Sequence, residues 1–262
     1  MFTKQEIENQ LKQFQIERGR PVTVHTSLKA IGEIEGRAEA LLSVLIDYFT
    51  KDGGIFFVPT HTWNGTVYDM NSDSTCLGVL PRIAAGHPDA VRSAHPTHSV
   101  AAFGEKTAAA AFVCGEDLLD TPTNPKGCYG KLYDEDGYIL LIGVGHDKST
   151  YLHCVEEMLA VPHRLTEEKV ERTIIYKDGR KEIKHLRWFD TTAAEDVSVF
   201  FNKLEPAFLH HGCIQQGFIG HAPAQLCSAK KIKAVMELIY RNAAGKELLS
   251  DDKPLDERLY KV

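Results

Sequence analysis

The chain has 262 residues, 43% hydrophobic and 25% charged, with a formal net charge of −6. That length buries a core without disulfide or metal staples, and the balance of charge excludes the clustered basic face of a nucleic-acid binder. Six cysteines with no C-x-x-C pair read as free thiols in a reducing compartment. No run reaches the roughly 18 apolar residues of a membrane span, and the polar start lacks the apolar core of a signal peptide. A cytoplasmic protein is expected.

In chain order, residues 3–17 are predicted to be helical, with Thr3 and Glu6 as a capping box and Ile7, Leu11 and Phe14 as one apolar stripe. A strand at 21–25, an amphipathic helix at 37–51 closed by Gly53-Gly54, and a buried strand at 55–59 form a βαβ unit with a parallel pair. Residues 60–100 read mostly as loop, with a short helix at 79–86 and a strand at 99–103. A helix at 105–120 and a Pro/Gly-rich loop at 121–130 follow. The run YILLIGVG, 138–145, is a central strand with a tight exit, and 149–160 is helical. A hairpin is predicted over 170–188, turning at Asp178-Gly179, then helices at 193–204 and 228–242, the second capped by Ser228. The whole, 1–262, reads as one α/β domain: a mixed central sheet flanked by helices, with a C-terminal portion carrying a β-hairpin. Any sub-boundary falls near 165.

Polar residues collect after predicted strands: His25-Thr26-Ser27, Thr60-His61-Thr62 and His146-Asp147. In open α/β sheets, ligands bind beyond the carboxyl ends of the strands, so these clusters are expected to face one crevice. A fourth cluster, Arg92 to Ser99, lies in loop. The densest group is His146, Asp147, Thr150, His153 and Glu156. His153 and Glu156 sit at i and i+3 on one helical face, as do Thr150 and His153; His146 precedes the helix and can point back over its first turn. A His beside a carboxylate is held in one tautomer and made more basic. The competing reading is a capped helix with solvent-facing charges. Twelve histidines also raise a His-rich metal-dependent hydrolase, but there is no H-E-x-x-H and no zinc-type Cys/His spacing, so no metal ligand is assigned.

The segments VHTSLKAIG (24–32), FVPTHTW (57–63), GVLP (78–81), AVRSAHPTHSVAAFG (90–104) and GKLYDEDGYILLIGVGHDKSTYLHCVEE (130–157), with FIGHAPAQLCSAKKI (218–232), resemble the aminoglycoside 3-N-acetyltransferases in order and spacing over nearly the whole chain. Arg82 departs from the family, which often carries a carboxylate after GVLP. The resemblance implies that family's own fold, unlike the small acetyltransferase fold. It implies acetyl-coenzyme A as cosubstrate, no metal, and transfer to the 3-amino group of the 2-deoxystreptamine ring of an aminoglycoside, conferring antibiotic resistance; a non-antibiotic amine is the alternative acceptor. Carried over residue by residue, it implies His146 as general base, Glu156 as its carboxylate partner and Thr150 near the thioester. Ser27, Arg92, Ser93 and His95 would hold coenzyme A. Thr60, His61, Asp147 and Glu157 would line the substrate side, and Glu116, Asp117 and Asp120 would meet a polycation at the mouth. Neither a nucleic-acid nor a membrane partner is implied; homodimerisation stays open.

Overall fold

The computed structural model describes residues 1–261. Among them, ten strands run in chain order: β1 (Val22–Thr26), β2 (Phe56–Pro59), β3 (Val67–Asp69), β4 (Val91–Arg92), β5 (Val100–Phe103), β6 (Tyr138–Ile142), β7 (Leu165–Ile175), β8 (Lys181–Phe189), β9 (Ile214–Ile219) and β10 (Ala222–Ser228). The α-helices of the described residues are α1 (Lys4–Leu11), α2 (Leu28–Ile31), α3 (Arg37–Phe49), α4 (Val79–Gly86), α5 (Lys106–Val113), α6 (Cys128–Asp134), α7 (Thr150–Met158), α8 (Glu205–His210) and α9 (Ala229–Ala243).

Seven strands form the central sheet in the order β4-β5-β2-β1-β6-β10-β9. β1 pairs parallel with both β2 and β6, while β10 runs antiparallel to β6. The apolar run of β6 is explained by burial on both faces. Ile139 and Leu141 pack into the layer of α5, α6, α7 and α9, and Leu140 and Ile142 into the opposite layer of α1, α3 and α4. Because β1, β2 and β6 point the same way, their C-terminal ends share one edge. There β6 ends at Gly143, whose φ of +64° suits a residue without a side chain; a Cβ would come within 2.5 Å of Ala30 Cβ. Ser27 N–H donates to Ile142 O at 2.9 Å, which ties the β1 and β6 exits together.

A second sheet, β3-β7-β8, is the predicted hairpin with one added strand. β3 pairs parallel with β7, so the segment after β2 contributes to the C-terminal sheet, and β9 and β10 return to the central one. β7 begins at Leu165, where the hairpin of the second sheet starts.

The capping box holds: Glu6 N–H donates to Thr3 Oγ1 and Thr3 N–H to Glu6 Oε2, at 3.2 and 2.8 Å. Several expected bounds shift. The first helix ends at Leu11, although Phe14 remains buried. The helix expected over 105–120 stops at Val113, because Gly115 turns the chain at φ +81°. The loop expected over 121–130 already contains the start of α6, since Gly130 is helical and packed against the Pro125 carbonyl. The helix expected over 193–204 is a 3-10 segment, Val197–Leu204, capped by Asp196, with α8 following directly.

Candidate active site

A cavity of about 840 Å³ opens at the shared edge of the central sheet, within the usual range for a small-molecule site. Its floor is the ends of β1 and β2, with His25, Thr26, Ser27 and His61; one wall is Ser149, Thr150 and His153 at the start of α7. Trp188 and Phe189, ending β8, and the following segment to Ser198 cover it. The hairpin thus supplies the cover that the sheet edge lacks.

α7 presents polar side chains to the cavity. Thr150 and His153 both line the cavity, three residues apart and so on one face of the helix. The His153 ring is held between Phe189 and Phe201, with centroids 4.5 and 4.8 Å away. One turn on, Glu156 Oε2 lies 3.8 Å from His153 Nδ1. That is too long for a hydrogen bond but close enough for the carboxylate to stabilise a charging ring. Glu156 is 1% exposed; its other oxygen accepts from Arg164 Nε at 2.6 Å and Tyr240 OH at 2.7 Å. Burial raises the Glu156 carboxyl above its usual range, and Arg164 and Tyr240 oppose this. Burial pushes His153 down to about 4, with Asp196 drawing it up and Arg164 pushing it further down. His153 is therefore neutral at physiological pH, the form that accepts a proton.

The aminoglycoside 3-N-acetyltransferase profile matches residues 23–240. The chain belongs to that family. The Bacillus subtilis (strain 168) SPbeta prophage-derived aminoglycoside N(3')-acetyltransferase-like protein YokD is 25% identical, over 94% of this chain and 95% of its own. Among solved structures, a mutant of aminoglycoside acetyltransferase AAC(3)-IVa in complex with a gentamicin superposes with a TM-score of 0.74 at 26% identity, covering 89% of this chain and 86% of that one. AAC-IIIb in a binary complex with CoASH superposes at 0.73 with 24% identity, covering 88% and 93%. The fold is theirs and not the small acetyltransferase fold.

Within this acetyltransferase framework, several residues stand apart from their expected roles. His146 does not line the cavity. It is 1% exposed, with its ring 5.1 Å from Phe208, and burial pushes it down to about 4 against the pull of Asp147. It follows Gly145 in a 3-10 turn, which turns its ring into the core beside α8 instead of back over α7. Glu157 does not face the cavity either. Its carboxylate is bonded by Thr121 Oγ1 at 2.6 Å, Thr123 N at 3.0 Å and Thr123 Oγ1, so it pins the loop before α6.

The expected coenzyme A contacts divide. Ser27 lines the cavity and caps α2. Arg92 is 5% exposed and spends its guanidinium on the Ser72 and Ala85 carbonyls, Tyr68 OH and Ser99 Oγ. Ser93 Oγ accepts from Val100 N–H. His95 Nδ1 accepts from Thr97 and His98 N–H, and its Nε2 meets Thr121 O. These three hold loop backbone together and reach no ligand space. The cations that do line the cavity are Lys29, Lys148 and the buried Arg164.

On the substrate side, His61 and Asp147 line the cavity. Thr60 lies beneath, its Oγ1 against Ser99 Oγ at 3.0 Å. The acids expected at the mouth are engaged elsewhere: Glu116 accepts from Cys128 N–H, Asp117 from Tyr176 OH, and Asp120 pairs with Lys169. The cavity's acids are instead Asp147, Asp190, Glu195 and Asp196. The last three follow the hairpin; Glu195 and Asp196 fall inside the helix expected over 193–204, and none of the three was singled out. His153 was visible in the sequence as the i, i+3 neighbour of Glu156. His25 and His98 also line the cavity, the latter from the loop cluster.

Among the described residues, no group of three His, Cys, Asp or Glu side chains is placed to hold a metal ion. The cavity histidines are kept neutral. Burial pushes His25 down to about 4, and burial reinforced by neighbouring imidazoles pushes His61 and His98 well below the usual value. Stability should therefore depend on pH. His25, His146 and His153 fall to about 4 in the fold from an ordinary 6.5, so the unfolded chain binds their protons first as pH falls. Their contribution is complete above 6.5 and is lost between 6.5 and 4, at up to about 1.4 kcal/mol per pH unit for each ring. Urea midpoints are expected to drop steeply from pH 7.5 to pH 5; a flat profile would mean that the rings are not held neutral.

Proposed function

We propose that the chain transfers the acetyl group of acetyl-coenzyme A to an amine of an aminoglycoside, the 3-amino group of its 2-deoxystreptamine ring, with His153 as general base. The observation that carries this is the neutral imidazole of His153, clamped between two aromatic rings, facing a cavity and backed by the Glu156 carboxylate. The relatives' names and ligands support the reaction class. Six free cysteines and an intracellular acetyl donor fit work in the cytoplasm.

Acetyl-coenzyme A supplies an acetyl thioester. Its phosphates call for cations, and Lys29 and Lys148 are the exposed ones at the rim; Ser27 and the unpartnered, buried Thr26 Oγ1 fit polar atoms of the same arm. The acceptor amine arrives as an ammonium, and Asp190, Glu195 and Asp196 favour a polycation there, while Asp147 is paired with Lys148 at 2.9 Å. The ammonium first releases one proton to solvent to become a free amine; with Nδ1 turned to Glu156, His153 presents Nε2 for the second proton, lost as the nitrogen bonds the acetyl carbon and the C–S bond breaks. The imidazolium so formed is stabilised by Glu156 and Asp196, and it returns the proton to the departing thiolate. Thr150, on the same face of α7, supplies a hydroxyl near the reacting carbonyl, where developing negative charge needs a donor.

The test is release of free thiol when the protein is mixed with acetyl-coenzyme A and a kanamycin-type amine, with and without a chelator. Amine-dependent thiol release that survives chelation is expected; its absence across a panel of aminoglycosides would defeat the reading. Glu195 carries no ion pair among the described residues and is exposed. Neutralising it in Glu195→Gln is expected to raise KM for the amine about threefold at low salt, with kcat unchanged and the effect fading as salt screens it. An unaltered KM in low-salt steady-state assays would remove this segment from the substrate side.

A further inference from the structure

Glu156 is joined to two further charges, the buried Arg164, which also lines the cavity, and the partly exposed Glu247. Arg164, 5% exposed, gives Nε to Glu156 Oε1 and both terminal nitrogens to Glu247, Nη1 to Oε2 at 2.8 Å and Nη2 to Oε1 at 2.9 Å. Such a forked pair fixes the guanidinium plane. Glu247 is itself held, because its Oε1 accepts from the Leu248 and Leu249 N–H groups at 2.9 and 2.7 Å. The same stretch is tied on its other side. Lys203 Nζ donates to Leu248 O, Asp251 O and Asp251 Oδ1, and Lys203 lies two residues from Phe201, one of the rings against His153. One short segment, 247–251, is thus bonded to Arg164, which bonds Glu156, and to Lys203, two residues from Phe201.

Resting on the reading of His153 as base, we propose that Glu247 and Arg164 are positioning residues for the acetyl transfer, acting on His153 through Glu156 and fixed by the 247–251 segment. The electrostatics give the direction. Arg164 alone would cancel the charge of Glu156 and repel an imidazolium at His153. Glu247 takes up part of that positive charge, so the Glu247–Arg164–Glu156 group remains net negative toward the ring. Tyr240 also bonds Glu156, and Asp196, His25, His61 and His98 line the same cavity as His153, so these groups face the ring unchanged in every variant below.

The experiment compares Glu247→Gln, Arg164→Lys and Arg164→Gln in the full chain by steady-state kinetics and by NMR titration of the His153 ring, with acetyl-coenzyme A and kanamycin as substrates. Glu247→Gln is expected to lower kcat about tenfold with KM within twofold, and to move the His153 titration to lower pH. Arg164→Lys, which keeps the charge but loses the fork, is expected to lower kcat with the His153 titration little moved, whereas Arg164→Gln, which also removes a repelling charge, is expected to lower kcat while the titration moves to higher pH. A wild-type kcat and His153 titration in Glu247→Gln would overturn the proposal. So would a kcat loss in that variant that merely follows the folded fraction, with the His153 titration unmoved. A fully active His153→Ala would instead remove the reading on which the proposal rests, which sets the two failures apart.

Discussion

His153→Ala is expected to lower kcat/KM by about 10²–10⁴-fold, the usual worth of a positioned general base. The ring lines the cavity, is neutral because burial pushes it to about 4, and has a carboxylate behind it. No other cavity histidine has an acid at such a place: among the described residues, the acid-facing ring contacts are those of His87 and His153, and His87 is not at the cavity. Removing the imidazole also leaves a gap between Phe189 and Phe201. His153→Gln, which refills part of that space, therefore accompanies the alanine variant; both should be crippled while binding of acetyl-coenzyme A changes little. The contrasting variant is His146→Ala. Its ring packs on Phe208 in the core, so the change is expected to cost about 1–3 kcal/mol of stability and to leave kcat near wild type. The measurements are thiol-release kinetics and urea unfolding on all three proteins. A loss below about tenfold in both His153 variants, or a dead but fully stable His146→Ala, would return the base to His146.

That exchange of histidines shows what the sequence reveals and what it hides. The βαβ spacing put β1 and β2 parallel; the structure adds β6 parallel to β1, and together they gather Ser27, His61 and Asp147 at one edge. The i, i+3 spacing likewise put His153 and Glu156 on one face of α7. Which histidine reaches the cavity depends instead on the turn between Gly143 and Ser149. A glycine-rich exit can aim the next side chain either way, and only packing against Phe208 settles it. Arg92, Ser93 and His95 mislead for a related reason. A buried loop must satisfy its own backbone, and it recruits the same polar residue types that a ligand would. The acids at 190–196 escape notice because they act from irregular backbone, brought over the cavity by the hairpin. β9 and β10 are hidden by Gly217, Pro223 and the flanking Ala222 and Ala224, residues with low strand preference, although β10 pairs with the full length of β6.

Glu156→Gln is expected to reduce kcat by about 10–100-fold with a smaller change in KM. The substitution keeps the side chain's size and lets an amide oxygen accept from Arg164 and Tyr240, but it removes the negative charge 3.8 Å from His153 Nδ1. That charge matters little to the neutral ring at rest and much to the imidazolium that forms as the amine loses its proton. Its loss therefore falls on the transition state, and so on kcat. The variant also leaves Arg164 beside the ring with less to balance it, so the His153 titration should move to lower pH. Combined with His153→Ala, the change should add almost nothing, because a carboxylate whose effect runs through the imidazole has no role once the ring is gone. Glu157→Gln is the neighbouring control. Its carboxylate holds Thr121 and Thr123, so it should lower stability by about 1–3 kcal/mol while the protein that remains folded turns over normally. The pair is read from kcat across pH and from the urea midpoint. Near-normal kcat in Glu156→Gln would remove the carboxylate from the mechanism, and a catalytic collapse confined to Glu157→Gln would assign the partnership to the other acid.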